Sequence, residues 1–381
     1  MGLCLSTRRR SPPLWWSDLP PELGGLILRR LPSHEDRFSF RAVCRQWRLA
    51  AQLERSSLPP ALPWIRLTDL TFRSLPGGEL RRLNGRNLPC PYTRACAAIR
   101  FRSCSSDRWP MYCNSTVTGL FLINPFTGAT MFLPPAPQED EESLKIVVCS
   151  PDIVAATLYG RMAVGICRKG APSWSVFPLA YGCRRRLYED IAFHRGKIYA
   201  ITQTDDLYSH ELVDGVVAEH VIKEQPPGTN GGQSPRYLVA ACGKLLMVKW
   251  TCNNTCLVRR RVKRRARDYW WDDIRLMVFE ADLEMGRWLE LKDGGLDGHA
   301  LFVSRNSSKA IPLSSSNDRK IKKDHVYFPG TELQWIDRAF RSCLYGCYDL
   351  RNDRISLIVW NKGSRNTKDI HAVSDWFFPS M

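Results

Sequence analysis

No stretch of this 381-residue chain is apolar for long enough to cross a membrane as a helix, a crossing that takes about 18 or more consecutive apolar residues. The chain holds 14 cysteines but no Cys-x-x-Cys. Cys252 with Cys256, and Cys343 with Cys347, stand four apart, yet no His or Cys cluster lies nearby to complete a tetrahedral metal site. Scattered cysteines and a missing secretory signal predict free thiols in a reducing compartment rather than a disulfide framework. The Asn-x-Ser/Thr triplets at Asn114, Asn253 and Asn306 then read as polar loops. Enzyme signatures are missing too: there is no Gly-x-Ser-x-Gly, no phosphate-cradling glycine loop ahead of a helix and no His-Glu-x-x-His. His194 and His325 stand singly in strand-like contexts, where packing or hydrogen bonding is the plain reading. The run Glu139-Asp140-Glu141-Glu142 follows a proline-rich stretch and reads as a solvated loop, not an acid-base pair. The expectation is a protein that is no enzyme, with no cofactor and no metal.

Acidic residues are in short supply, with 38 Asp and Glu against 55 Lys and Arg and a net charge of +17. Such an excess raises nucleic acid or an acidic surface as a partner. Its placement argues against nucleic acid: Arg8 to Arg10, Arg184 to Arg186, Arg259 to Arg267 and Arg319 to Lys323 are separate runs in loop-like surroundings, with no nucleic-acid recognition motif. The densest run, with Arg259, Arg260, Arg261, Lys263, Arg264 and Arg265, has the clustered cations of a nuclear localisation signal; its plainer reading is a solvated insertion between strands. The start of the chain places Gly2 for myristoylation and Cys4 for palmitoylation, followed by Arg8-Arg9-Arg10. Two such signals together give stable anchoring, and acylation is the one route by which this chain reaches a membrane. The expected compartment is cytoplasm, nucleus or both.

Residues 16 to 51 read as three short helices. Pro20-Pro21 opens the first, because proline lacks an amide that a first turn leaves unpaired and its fixed φ suits the helix; Glu22 sits in the positive first turn. Leu23, Leu26, Ile27 and Leu31 follow at helical spacing, and Pro32 ends the run. Gly24-Gly25 lies inside this helix, where each glycine costs about 1 kcal/mol relative to alanine. Ser33 and Asp36 form a variant capping box for a short second helix. A third stripe, Phe40, Val43, Cys44, Trp47 and Ala51, rides on a helix whose other face is Arg41, Arg45, Arg48 and Arg55. A unit of this size buries only a small core, so part of its apolar surface waits for a partner.

The succession Leu19-Pro20, Glu22-Leu23, Ile27, Arg30-Leu31-Pro32 and Arg41-x-Val43-Cys44-x-x-Trp47 resembles an F-box. That family uses a helical hook to dock on the Skp adaptor of cullin-RING ubiquitin ligases. By matching position, the resemblance implies that Leu19, Pro20, Leu23, Ile27 and Leu31 form the adaptor-facing and core residues, and that Val43, Cys44 and Trp47 complete the hook.

From about residue 60 the pattern changes to short β-prone runs broken by Gly, Pro, Asn and Asp. A strand, a tight turn and an outgoing strand recur, with turns at Gly78, Gly128, Gly170, Gly215, Gly286 and Asp353. An inner hairpin repeats as well, Arg195-Gly196-Lys197 matching Cys242-Gly243-Lys244. Successive turns are 50, 42, 45, 71 and 67 residues apart, the first three near the roughly 40 to 50 residues of a four-stranded propeller blade. Polar insertions near 223–235, 251–273 and 304–324 lengthen the last two intervals. Propellers accept such insertions because loops leave the faces while blades bury their sheets against each other. Gly119 to Gly128, Ala300 to Asn306, Val326-Tyr327-Phe328 and Asp375-Trp376-Phe377-Phe378-Pro379 resemble plant F-box proteins that carry a kelch-like domain of uncharacterised function, and this resemblance spans nearly the whole chain.

The expected fold is therefore α+β and multidomain: a basic tail at 1–13, a three-helix F-box hook at 14–58 and an all-β propeller of six blades at 59–381. The expected function is the substrate-recognition subunit of an SCF-type ligase, with the adaptor and cullin on one side and an unknown protein target on a propeller face. Trp270 and Trp271 beside arginines suit such an interface with an acidic partner. The alternatives are a basic nuclear propeller that binds nucleic acid or chromatin, and an adaptor-binding protein that acts outside any ligase.

Overall fold

In the computed structural model the helices begin where prolines and a serine allow. α1 spans Pro21–Arg29, with Pro20 as its N-cap and Glu22 in its first turn. α2 spans His34–Val43 and is capped by Ser33, whose Oγ accepts from the Asp36 amide at 3.2 Å. α3 spans Arg45–Leu53. The structure describes residues 16–31, 33–54, 57–58, 60–68, 70–75, 79–82, 100–104, 106, 109–115, 119–136, 144–158, 160–178, 187–212, 218–223, 225–226, 234–252, 274–292, 295–313, 321–333, 343–359 and 375–379. The chain divides into two compact units, Met1–Ala61 and Leu62–Ser380.

Two sequence expectations for the helical unit need correction. Phe40, Val43, Cys44, Trp47 and Ala51 do not share one helix. Cys44 is extended, with φ −158° and ψ 177°, so it ends α2 and begins α3. The apolar residues of α1 do not form one inward stripe either. Gly24, Gly25 and Leu28 are its buried residues, whereas Leu23 and Leu26 are exposed. The small core is Leu28, Phe40, Ala50 and Ala51, ringed by Ile27, Leu31, Trp47 and Leu58.

The second unit is a propeller of six sheets. The inner strand of the first blade is Asp375–Phe377, which pairs antiparallel with Trp64–Thr68. The two ends of the propeller therefore share one sheet and close the ring. The blades that follow occupy 100–133, 146–178, 188–222, 236–290 and 299–359. Each turn read from the sequence falls between the two outermost strands of a different blade. Gly128, Gly170, Gly286 and Asp353 have φ of +73°, +80°, +66° and +51°, the left-handed region that glycine and aspartate tolerate best; Gly78 and Gly215 lie outside the described residues. The repeated inner hairpins also match in geometry. Arg195-Gly196 and Cys242-Gly243 all have positive φ, which is the two-residue turn whose twist suits the flanking strands.

The stretch 304–324 is not wholly an insertion. Lys309–Pro312 is a strand paired with His299–Phe302, which in turn runs parallel to His325–Pro329, so the sixth sheet has five strands. Ala310 packs against the core shared with the fifth blade and Ile311 against the core at the closing seam, one residue to each face, a pattern too short to separate from its polar surroundings in the sequence.

Buried carboxylates tie neighbouring blades. Asp190 pairs with Lys145 and accepts from the Leu238 amide at 2.7 Å, joining the third, fourth and fifth blades. Asp205 pairs with Arg236 and with Lys249 Nζ at 2.7 Å in the fifth. Glu332 accepts from Tyr237 Oη at 2.5 Å and from the Arg305 amide at 2.8 Å. At the closing seam Asp375 accepts from Ser304 Oγ, from Asn306 Nδ2 at 3.0 Å and from Ser307 Oγ at 3.1 Å, and Trp376 Nε1 donates to the Val303 carbonyl at 3.0 Å. Two motifs that look unrelated in the sequence, Ala300 to Asn306 and Asp375 to Pro379, are thus partners across that seam.

One buried group gives the propeller a pH dependence. His210 is buried beside Tyr188, its Nε2 3.3 Å from the phenol oxygen, and burial pushes its imidazole from 6.5 down to about 4. Because the folded form resists the proton that the unfolded chain accepts, its contribution is complete above pH 6.5 and is lost as pH falls toward 4. The loss is on the order of 3 kcal/mol. Thermal melts of wild type and His210→Phe should therefore diverge in slope between pH 7 and 4, the wild type falling faster; parallel curves would contradict this.

Candidate functional site: the helical hook

Of thirteen large hydrophobic side chains exposed among the described residues, seven belong to the helical unit: Trp16, Leu23, Leu26, Phe38, Val43, Leu49 and Leu53. Scattered exposed hydrophobics are ordinary on a protein surface, but more than half of them falling on so short a segment is not. Leu23 and Leu26 are 48% and 52% exposed and lie three apart on α1. Leu49 and Leu53 lie four apart on α3, so each pair shares a helix face.

The residues that the F-box resemblance singled out divide into supporters and surface. Ile27, Leu31 and Trp47 are half-buried against the small core. Trp47 stacks on Phe40 with ring centroids 4.4 Å apart, and its Nε1 donates to the Trp16 carbonyl at 2.9 Å. Leu19 and Cys44 are half-buried as well. Pro20, Leu23 and Val43 stand at the surface. The sequence reading missed Phe38, Leu49 and Leu53 as surface groups and Leu28 as the buried residue of α1. Helix phase alone misleads here, because two glycines take the inward positions that leucines would ordinarily fill.

Those glycines explain how α1 meets α3. A Cβ on Gly24 would stand 3.1 Å from Ala50 Cβ, and one on Gly25 would stand 2.7 Å from Glu54 Cγ. Glu54 is itself held in place, accepting from Arg29 Nε at 2.7 Å and from Ser57 Oγ. The helical cost of Gly24-Gly25 is thus exchanged for close contact between two helices. Gly24→Ala should therefore destabilise the hook by about 1 kcal/mol or more, although propensity alone predicts a gain of similar size. Chemical denaturation followed at Trp47 fluorescence reads the sign, and a stabilised variant would contradict the packing account.

Arg37 anchors the link between α1 and α2. It is buried, its Nε donates to the Leu31 carbonyl at 2.7 Å, and burial pulls its guanidinium below the usual range. Arg45 and Arg48 are exposed on α3. Gly2, Cys4 and the run Arg259 to Arg265 lie outside the described residues, as do Trp270 and Trp271. In the propeller, burial pushes the Cys149 and Cys343 thiols up to about 12, which keeps both protonated at neutral pH.

No curated protein matches the chain. Similar solved structures include virginiamycin B lyase from Staphylococcus aureus, at 10% identity over 70% of this chain and 90% of that one, with a TM-score of 0.34. Hsv2 of Kluyvelomyces marxianus is 11% identical over 58% of this chain, which spans 64% of the Hsv2 chain, with a TM-score of 0.24. The computationally designed Ika8 protein is 9% identical over 84% of this chain and 83% of its own, with a TM-score of 0.35. Likeness at this level says nothing of what the chain binds. The F-box-like family matches residues 16–55, the segment of the three helices. The KIB1-4 beta-propeller family matches residues 72–357, well over half of the chain, and the protein belongs to that family, with an F-box-like domain ahead of its propeller.

Proposed function

We propose that this protein is the substrate-recognition subunit of an SCF-type cullin-RING E3 ubiquitin ligase. The observation that carries the reading is the apolar surface of the F-box-like hook, where Leu23, Leu26, Val43, Leu49 and Leu53 are exposed. Fully burying one such side chain is worth about 1.5 to 3 kcal/mol, so an Skp-type adaptor that covers several of them gains a stable interface. The propeller then holds a protein target, and the target's lysines reach a high effective concentration near the charged ubiquitin-conjugating enzyme. This chain makes and breaks no bond in that scheme. It works in the cytoplasm, the nucleus or both.

The test is co-purification of the cullin with the full chain from eukaryotic cells. Adaptor and cullin together support the ligase reading. Adaptor without cullin would place the protein outside any ligase, and neither partner would end the reading.

A further inference from the structure

The sixth blade carries a cleft of about 740 Å3, whose lining among the described residues comes from that blade. Alternate residues of a strand point to opposite sides of the sheet. On His325–Pro329 and Cys343–Asp349, Val326, Phe328 and Tyr348 enter the core shared with the fifth blade. His325, Tyr327, Cys347 and Asp349 therefore fall on the other face, where they line the cleft. Arg354 and Ser356 extend that face on the outermost strand, and Lys322 and Asn352 also line the cleft.

The charge of this cleft is lopsided. Among the described lining residues its one carboxylate, Asp349, is engaged by its own turn, accepting from the Arg351 amide at 3.0 Å and from Asn352 Nδ2 at 2.7 Å. His325 Nε2 stands 3.7 Å from the same carboxylate, and His325 Nδ1 lies 2.9 Å from the Lys323 carbonyl. Lys322 and Arg354, both exposed, make no ion pair with any described residue. Tyr327 Oη accepts from the Lys322 amide at 2.8 Å, which leaves its proton to donate, whereas the Ser356 hydroxyl is engaged by the Cys347 side chain. Two cations with no ion pair to a described residue, beside the Tyr327 hydroxyl and an imidazole, outnumber what the Asp349 carboxylate can use. They match the charge and three acceptor oxygens of a phosphoryl group. The volume lies within the range of about 300 to 1,000 Å3 typical of ligand sites and far exceeds what a lone phosphate needs, so residues flanking the anion fit as well.

We propose that the cleft formed by Lys322, His325, Tyr327 and Arg354 receives a phosphoryl group carried on a serine or threonine side chain of a polypeptide held by the propeller. As a statement about targets, this rests on the substrate-receptor reading above.

The probes are degenerate peptide pools with a fixed central phosphoserine, aspartate or serine, titrated against the full chain by fluorescence anisotropy. The expected result is a preference of about tenfold or more for the phosphoserine pool over both others, lost in a Lys322→Ala, Arg354→Ala variant and reduced by added inorganic phosphate. Both substituted side chains are exposed, so an unchanged melting temperature identifies a folded variant, and Asp349→Asn should keep or strengthen the preference. Equal binding of the three pools, equal binding of phosphoserine and aspartate, or a preference that survives in the folded double variant would each overturn the proposal. Adaptor binding is read on the same preparations. A chain that prefers phosphoserine but binds no adaptor keeps the cleft and loses the receptor reading; one that binds adaptor without that preference loses the cleft alone.

Discussion

Asp205→Ala lowers the stability of the propeller by about 3 to 5 kcal/mol, a large fraction of the roughly 5 to 15 kcal/mol of a typical domain. Asp205 is fully buried and joins the fourth blade to two strands of the fifth, where Arg236 and Lys249 are cross-strand neighbours, each 1% exposed at its side chain. Its backbone carbonyl also accepts from Trp288 Nε1 at 3.0 Å. Removing the carboxylate strands two buried cations, and a buried charge without a partner costs far more than the intact pair contributes. Burial already pulls the Lys249 ammonium below its usual range, against the pull of Asp205 and together with repulsion from Arg236. In the variant that depression deepens. The unfolded chain then binds the proton more readily than the folded one, so the variant recovers stability as pH rises above neutral more steeply than wild type. A melting temperature lower by roughly 10 °C at pH 7, with the gap narrowing toward pH 9, is the expected record. Asp205→Asn should lose less, since asparagine keeps an acceptor and tolerates the φ of +67° at this position. A full-strength melt for Asp205→Ala would mean that the blade tie carries no energy.

The propeller was legible because its turns repeat. Gly128, Gly170, Gly286 and Asp353 need a left-handed backbone, and that need writes the same residue types at blade-length intervals. The ties between blades were not legible. Asp190 finds Lys145 and Leu238, and Asp375 finds Ser304 to Ser307, across separations in sequence that no local pattern encodes. The extra strand Lys309–Pro312 was hidden for a related reason: four residues supply too few alternations to stand out from a polar run. In the hook, prolines and the Ser33 cap announced the helix starts, because capping chemistry is local. The break at Cys44 left no mark, since no glycine or proline accompanies it. Gly24-Gly25 misled most: read for propensity, they weaken a helix, but in the structure they let α1 lie against Ala50 and Glu54. That close approach turns Leu23 and Leu26 outward, and so creates the surface on which the functional reading depends.

Leu23→Asp with Leu26→Asp has the second large effect. Both side chains are about half exposed, so the substitutions leave the small core of Leu28, Phe40, Ala50 and Ala51 in place. In a complex, each would instead force a carboxylate out of water, which costs several kcal/mol unless a partner charge meets it. Losing the burial of the exposed halves of two leucines amounts to about 1.5 to 3 kcal/mol, and together with the desolvated carboxylates the loss reaches at least about a hundredfold in affinity. Docking of this apolar kind changes little with salt, whereas contacts between exposed charges are screened within about 10 Å at 0.1 M and nucleic-acid binding falls steeply as salt rises.

The most direct measurement is the affinity of purified Skp-type adaptor for the full chain at low and high salt, wild type against the Leu23→Asp, Leu26→Asp variant. The expected result is salt-resistant binding by the wild type and a loss of about a hundredfold or more in a variant that still melts like the parent. A folded wild type that does not bind the adaptor at either salt, or a variant that binds undiminished, would contradict it.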